Sequence, residues 1–175
     1  RAGPGGRRGP VNRYAARDAD KRIGGKGVKL VADGGFFGEL MQRARPGFID
    51  GHQGEWVRAP ESIEALARVF WHAGKRIHIH CTGDLGVELA LDILEKLQWE
   101  RPRFDHRFTI EHFGVSTPEQ ARRLKALGAL VSANVYYVHE LGEAYWRASI
   151  GHERASQMAR LGSLDREGVP FALHS

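Results

Sequence analysis

Short apolar runs alternate with amphipathic stretches along most of this chain. The runs are rich in branched aliphatic residues and end at turn residues, so they predict short β-strands. The stretches between them carry apolar residues three or four positions apart, which predicts helices with one buried face. Strands are predicted at residues 28–32, 76–81, 108–113, 129–134 and 169–175, and helices at residues 61–73, 84–98, 118–127 and about 152–166.

This regular alternation of strand and helix predicts an α/β fold with a parallel sheet. Two architectures have that order, the open doubly wound sheet and the (β/α) barrel. A doubly wound nucleotide-binding sheet carries a G-x-G-x-x-G turn after its first strand, and residues 33–38 here read DGGFFG instead. We therefore predict a partial TIM (β/α)8 barrel, since the predicted strands are too few to close a barrel of eight.

The positive charge of the chain is concentrated at one end. Residues 1–26 carry eight Lys and Arg against two acidic residues, whereas residues 27–175 are nearly neutral. We interpret residues 1–26 as a basic Gly/Arg-rich arm and residues 27–175 as one barrel domain. Such an arm is more typical of a solvated or disordered tail than of a nucleic-acid contact. We therefore expect no nucleic-acid partner.

Composition also restricts the compartment and the kind of metal site. No apolar run approaches the ~18 residues that span a bilayer, so we expect no membrane partner. The first residues lack the apolar segment of a secretory signal. The single cysteine, Cys81, excludes an internal disulfide, and we expect a cytoplasmic location. Since one thiolate cannot build a cysteine-type zinc site, a metal would need His, carboxylate or lysine ligands.

Two histidines end neighbouring predicted strands. His80 and His112 are 32 residues apart, about the length of one strand, helix and connecting loops. Ligands at the carboxyl ends of barrel strands face the catalytic mouth, so the two imidazoles are expected to share a metal ion. If Ile77 and Ile79 face the helices, His78 and His80 face the interior, with His78 in a supporting or packing role. The alternative is that these are hydrogen-bonded core histidines.

Of four other polar residues, three have two interpretations each. Lys29 lies in the first strand and points outward or finds a charged partner inside. Glu111, next to His112 and on its opposite face, is expected to be structural and to pair with an arginine of a neighbouring helix. Asp84 is either a helix N-cap or a contact for substrate or a metal-bound histidine. His139 is a substrate contact or an exposed loop histidine.

Four motifs together resemble one protein family. They are GVKLVADG at residues 27–34, HIHCTGD at residues 78–84, IEH at residues 110–112 and GVPFALHS at residues 168–175. In this order and spacing they resemble the metal-dependent amidohydrolases, specifically the amidohydrolase-3 branch that includes the N-substituted formamide deformylases. The resemblance covers residues 27–175.

The resemblance implies a (β/α)8 barrel with one or two divalent metals, of which this chain holds strands four to eight with their helices. Lys29 would be the fourth-strand lysine, which is carboxylated in many relatives and bridges two metals. His80 and His112 would be the metal ligands of strands five and six. An HxH pair would precede residue 1, and the catalytic aspartate is expected after Ser175. The chain is therefore similar to a fragment of such an enzyme.

The implied activity is hydrolysis of a non-peptide C–N bond in a small amide-type substrate by a metal-activated water, with zinc the expected metal. Asp84 and His139 are the candidate substrate-binding residues. We expect the fragment alone to be inactive. The alternative function is a non-catalytic metal- or ligand-binding module on a barrel scaffold. Open barrel edges predict an oligomer or association with another chain.

Overall fold

The computed structural model describes residues 27–174, so the predicted basic arm and Ser175 lie outside the described residues. The strands are β1 (Gly27–Val31), β2 (Arg76–Cys81), β3 (Thr109–His112), β4 (Leu130–Asn134) and β5 (Phe171–His174). The helices are α1 (Pro60–His72), α2 (Asp84–Glu100), α3 (Pro118–Leu127), α4 (Tyr136–Ala144), α5 (His152–Ala155) and α6 (Leu161–Glu167). Within residues 27–174, no helix combines the length and the apolar character needed to cross a bilayer.

The strands form a single parallel sheet in the order β1-β2-β3-β4-β5. Each strand therefore lies beside the next one along the chain. A doubly wound sheet reverses its strand order at a switch point, and this sheet does not. The predicted fold class, an α/β partial (β/α) barrel, is confirmed.

Alternation along β2 separates a buried face from a polar face. Ile77, Ile79 and Cys81 are buried in the main apolar core. The intervening His78 and His80 are only half-buried. Side chains two residues apart share a face of a strand, so the aliphatic face meets the helices and the histidines face the barrel interior, as predicted.

Helix ends follow local sequence signals with one correction. Thr117 and Gln120 form the predicted capping box of α3, and the helix ends at Gly128 in the left-handed conformation. Asp84, however, is the first residue of α2, and Gly83 occupies the N-cap position. The Asp84 carboxylate still accepts a hydrogen bond from the Leu85 amide at 3.1 Å, so it satisfies one of the amides left open at the helix start.

The segment after β4 is more helical than predicted. After the fourth predicted strand we expect a loop and a short helical stretch, and the structure has α4 followed by a π-helical turn over Tyr145–Ser149. Tyr137 and Tyr145 of this segment pack with Phe36 in a second apolar cluster, and this burial accounts for the extra helix. The helix predicted at about 152–166 is two helices, α5 and α6, separated by a break in which Ala159 has a φ of 46°.

Asp33 connects the loop after β1 to the turn after β2. Its carboxylate accepts hydrogen bonds from the amides of Gln42 (3.0 Å), Thr82 (2.9 Å) and Gly83 (2.7 Å). Burial raises the pKa of Asp33 to about 6, against the lowering effect of these bonds. The two segments approach closely, because a Cβ at Gly83 would lie 2.0 Å from the Gln42 carbonyl and one at Gly86 would lie 2.9 Å from the Asp33 carboxylate.

We expect Asp33→Asn to lower the free energy of unfolding by about 1–2 kcal/mol, because an amide group cannot accept hydrogen bonds on both of its polar atoms. The loss is limited because the neutral amide also removes the burial cost that raises the pKa of Asp33. Urea denaturation at pH 7 measures this change. Asp165→Asn is the matched control, since Asp165 is exposed, and it should cost less than about 0.5 kcal/mol. Equal stability of the two variants would show that Asp33 does not hold these segments together.

Candidate metal centre

The structure brings the two predicted strand-end histidines together. The ring centroids of His80 and His112 are 4.5 Å apart, with an angle of 66° between the ring planes. His80 lies near the carboxyl end of β2, and His112 ends β3. In barrel enzymes the carboxyl ends of the strands carry the functional groups. Here these ends hold a pair of adjacent imidazoles.

His112 reaches this position through an irregular backbone. It is in register with the buried Cys81, so strict alternation would direct His112 toward the helices and Glu111 toward the interior. The φ angles of His112 (76°) and Phe113 (51°) are left-handed, which is uncommon for residues other than glycine. This conformation ends the alternation and accounts for the His112 ring lying beside His80.

The prediction that Glu111 pairs with an arginine is wrong. Its Oε1 is 2.7 Å from His78 Nδ1 and its Oε2 is 4.0 Å from His174 Nε2. Burial raises the pKa of Glu111, but the hydrogen bond and charge of His78 and the charge of Lys29 outweigh it, so the net pKa is lowered. The alternation that places His78 inside also applies to β3, where the buried Ile110 signals an interior Glu111.

Electrostatics keep both histidines neutral near pH 7. Burial lowers the pKa of His80, and a hydrogen bond to the Gly34 carbonyl only partly opposes this. Burial, followed by the charges of His80, Lys29 and His174, lowers the pKa of His112 to about 4. A neutral imidazole has a free lone pair, which is the form that binds metals.

One nitrogen of each ring has no hydrogen-bond partner within residues 27–174. These atoms are His80 Nε2 and His112 Nδ1, and both are buried. Buried polar atoms are normally paired, so the two open nitrogens are unusual. Because His80 Nε2 is unpaired, the hydrogen bond between His80 and the Gly34 carbonyl is made by the other ring nitrogen, Nδ1. His80 thus has a hydrogen-bonded nitrogen on one side and an open one on the other, which is the usual state of a metal-binding imidazole.

An aromatic stack borders the histidine pair, and the sequence analysis missed it. Phe36 stacks on Tyr137 at 4.2 Å and on Tyr145 at 4.5 Å between ring centroids. The Tyr137 ring centroid is 6.2 Å from that of His112. These residues lie outside the predicted strands and helices, and the signal available was the density of aromatic residues there.

Lys29 lies on the same side of the sheet as the histidines. It is in register with His78, and the flanking Val28 and Leu30 pack against the main core. The charge of Lys29 lowers the pKa of His112, so its amine acts on the centre electrostatically. Lys29 is exposed on that side of the sheet, and a charged partner for it stays a prediction.

The contacts found for Asp84 and His139 are with residues outside the His80–His112 pair. Asp84 Oδ1 accepts a hydrogen bond from the Ala44 amide at 3.0 Å and lies 3.9 Å from Arg43 Nη1. His139 is on α4 with its side chain 82% exposed, 3.6 Å from the Glu140 carboxylate. Its alternative interpretation as an exposed histidine therefore fits the structure, on a helix rather than in a loop.

A third histidine lies beside the pair. The ring centroid of His174, at the end of β5, is 5.0 Å from that of His112. The strand-end rule that selected His80 and His112 would also have found it. Among residues 27–174, however, no group of three or more His, Cys, Asp or Glu side chains is arranged to hold a metal ion. The described residues thus supply an imidazole pair rather than a complete set of ligands of these types.

Comparison with known families identifies this arrangement. The model of the amidohydrolase family matches residues 9–175. The chain belongs to the amidohydrolase family. The match begins inside the segment interpreted as a basic arm, so the family relationship of this chain extends beyond the motifs recognised in its sequence.

Two solved structures share the fold of the amidohydrolase chain. An uncharacterized metal-dependent hydrolase from Pyrococcus furiosus superposes with a TM-score of 0.72 at 24% identity, over 85% of this chain and 30% of that one. An uncharacterized metal-dependent hydrolase from Pyrococcus horikoshii OT3 superposes with a TM-score of 0.74 at 20% identity, over 92% and 34%. This chain thus spans about a third of each structure. A search of the curated proteins finds no match.

The low pKa of His112 predicts acid sensitivity of the metal-free chain. In the unfolded chain a histidine takes up its proton near pH 6.5, whereas folded His112 does so only near pH 4. Stability from this group is therefore present above pH 6.5 and is lost as the pH falls toward 4, by about 2 kcal/mol. Urea unfolding of His112→Gln at pH 7, 5.5 and 4.5 should show a correspondingly smaller decrease.

The control for this measurement is His139→Gln, which removes an exposed histidine and should keep the full decrease. Wild type and His112→Gln losing equal stability on acidification would contradict the desolvated environment described for His112.

Proposed function

We propose that this amidohydrolase chain supplies Lys29, His80 and His112 to a divalent metal centre, in an enzyme that hydrolyses non-peptide C–N bonds of small amide-type substrates. The observation that carries the proposal is the pair of buried imidazole nitrogens, one on each ring, without hydrogen-bond partners in residues 27–174. Zinc is the proposed metal, because imidazole nitrogen is one of its preferred ligands.

Lys29 fits such a centre only after chemical modification. A protonated amine has no lone pair and cannot bind a cation. Carboxylation of the amine by carbon dioxide would replace its positive charge with a carbamate, whose two oxygens are suitable metal ligands. The inward side of β1 on which Lys29 lies, in register with His78, supports this proposal.

The residues around the pair support a hydrolytic role. When bound, a divalent cation would supply Lewis acidity, which lowers the pKa of water toward ~7 and polarises a carbonyl group. The hydrogen bond to Gly34 fixes the His80 ring, and the aromatic stack of Phe36, Tyr137 and Tyr145 excludes water from one side. Asp84 and His139 follow β2 and β4 along the chain, and this position is the basis of their proposed role as substrate contacts, although His139 is largely exposed.

Zinc binding tests the ligand assignment. Isothermal titration of the metal-free 175-residue chain at pH 7 should show saturable binding, and His80→Ala and His112→Ala should each weaken it by at least about tenfold. His139→Ala is the matched control and should bind as wild type does. Because folded His112 is protonated only near pH 4, its contribution to binding should persist at pH 5.5, where ordinary histidines are largely protonated.

Zinc affinity that is unchanged in both His80→Ala and His112→Ala would refute the metal centre. The incomplete ligand set in residues 27–174 favours a second candidate, a non-catalytic metal- or ligand-binding module. DNA sequence flanking this coding region separates the two functions. An encoded HxH pair upstream and an aspartate directly downstream support the enzyme, in which case hydrolysis of an amide panel should require the longer product.

We also propose that the sheet edges mediate association. Phe171 and Leu173 on β5 are 38% and 57% exposed, although their register partners Val131 and Ala133 are buried. Light scattering coupled to size exclusion should therefore detect oligomers that Leu173→Lys reduces, since edge charges oppose strand pairing. Val57→Lys, at a 60% exposed loop position, is the control. A wild-type chain that stays monomeric at every concentration would contradict this.

A further inference from the structure

A cationic cavity lies on the carboxyl-end side of the sheet, among segments that follow β1, β2 and β3. Its volume is about 170 Å³, far above the ~10–15 Å³ that one water molecule needs. The segments that form it are the loop after β1, the start of α2, the turn before α3 and the region around α5. Its charged and hydroxyl-bearing lining includes Arg43, Arg45, Asp84, Ser116, Arg154 and Arg160.

Arg43 is the buried charge of this cavity. Its relative exposure is 2%, and its Nε and Nη1 atoms have no hydrogen-bond partner within residues 27–174. The nearest carboxylate, that of Asp84, is 3.9 Å from Nη1, too far for a hydrogen bond. Leaving a buried guanidinium without partners is costly, so these donors indicate a missing acceptor.

Ser116 adds a second open polar atom to the same wall. The residue is 5% exposed and its hydroxyl has no hydrogen-bond partner within residues 27–174. A serine hydroxyl can donate to an oxyanion. Two side chains from different loops therefore offer unused donors to one cavity.

The other arginines are fixed in place by main-chain contacts. Arg154 Nε donates to the Ile150 carbonyl at 2.8 Å, and Arg160 Nε donates to the Ser116 carbonyl at 2.9 Å. Both guanidinium groups are thus held at the cavity by the backbone rather than by carboxylates. Asp84 is the only acidic side chain among the described residues that line it, so the lining carries an excess of positive charge.

The helices add to this positive potential. Asp84 begins α2, and Thr117, which also lines the cavity, is the N-cap of α3. Helix N-termini carry a partial positive charge. Burial lowers the pKa of Arg43, and the neighbouring Arg154 adds to this effect while Asp84 opposes it, as expected for a cation whose counter-charge is incomplete.

We propose that this cavity is an oxyanion-binding site, in which Arg43 and Ser116 donate hydrogen bonds to a phosphate or carboxylate group while Arg45, Arg154 and Arg160 supply positive charge. Arginine binds both kinds of anion with charge-assisted, often bidentate hydrogen bonds. The site is built from residues other than Lys29, His80 and His112, so it stands whether or not the proposed metal centre is correct.

Anion titration of the metal-free 175-residue chain tests the site. Inorganic phosphate is titrated by calorimetry in one arm and acetate in the other, both at constant ionic strength so that general charge screening is equal. We expect saturable binding of at least one anion, weakened about tenfold or more in Arg43→Met. The same anion should raise the melting temperature of wild type. Tighter binding of phosphate or of acetate shows which of the two chemical groups the site prefers.

Matched variants keep the test decisive. Arg107→Met removes an exposed arginine that pairs with Asp105 and should bind the anion as wild type does. If Arg43→Met does not fold, as judged by circular dichroism, Arg160→Met takes its place with the same expected loss. Saturation by neither anion would overturn the site, and so would equal affinity in wild type and in a folded Arg43→Met or Arg160→Met.

Discussion

The left-handed backbone at His112 is the constraint on which the imidazole pair of His80 and His112 depends. Regular alternation would leave His80 without its imidazole neighbour on the interior side and direct His112 into the helix layer. With φ angles of 76° and 51° at His112 and Phe113, both Glu111 and His112 face the interior. Such strain is retained where surrounding contacts determine it. The close packing of the buried Phe113 is one such contact, so the core helps to orient the His112 ring.

Asp33 performs a comparable role for the loops. Its carboxylate accepts hydrogen bonds from the backbone amides of residues 42, 82 and 83. These bonds link the segment that carries Arg43 to the start of α2. The imidazole pair and the cationic cavity are therefore built on one hydrogen-bonded junction. A buried carboxylate is suited to this task because each of its oxygens accepts several bonds, and its geometry fixes loops that have few other regular contacts.

Much of the fold was predictable because its signals are local. The bounds of β2 and the capping box of α3 follow directly from alternation and from the Thr117–Gln120 spacing. The adjacency of His80 and His112 followed from the repeat length. The same rules could have predicted two further features that we did not predict, the inward position of Glu111 and the strand-end position of His174.

Other features depend on contacts between distant segments. The unpartnered Arg43 lies in a loop whose course is set by Asp33 rather than by its own sequence. The helix α4 forms where Tyr137 and Tyr145 stack with Phe36, more than a hundred residues away along the chain. The break between α5 and α6 contains no glycine or proline, so the local sequence does not indicate it.

The tight approach at Gly83 and Gly86 has a consequence for recombination between relatives. Any side chain at these positions would collide with the Gln42 carbonyl or the Asp33 carboxylate. The loop at residues 36–59 and the turn at residues 82–86 therefore have to be exchanged together. A chimaera that exchanges one without the other should misassemble, whereas exchange of both together preserves the junction.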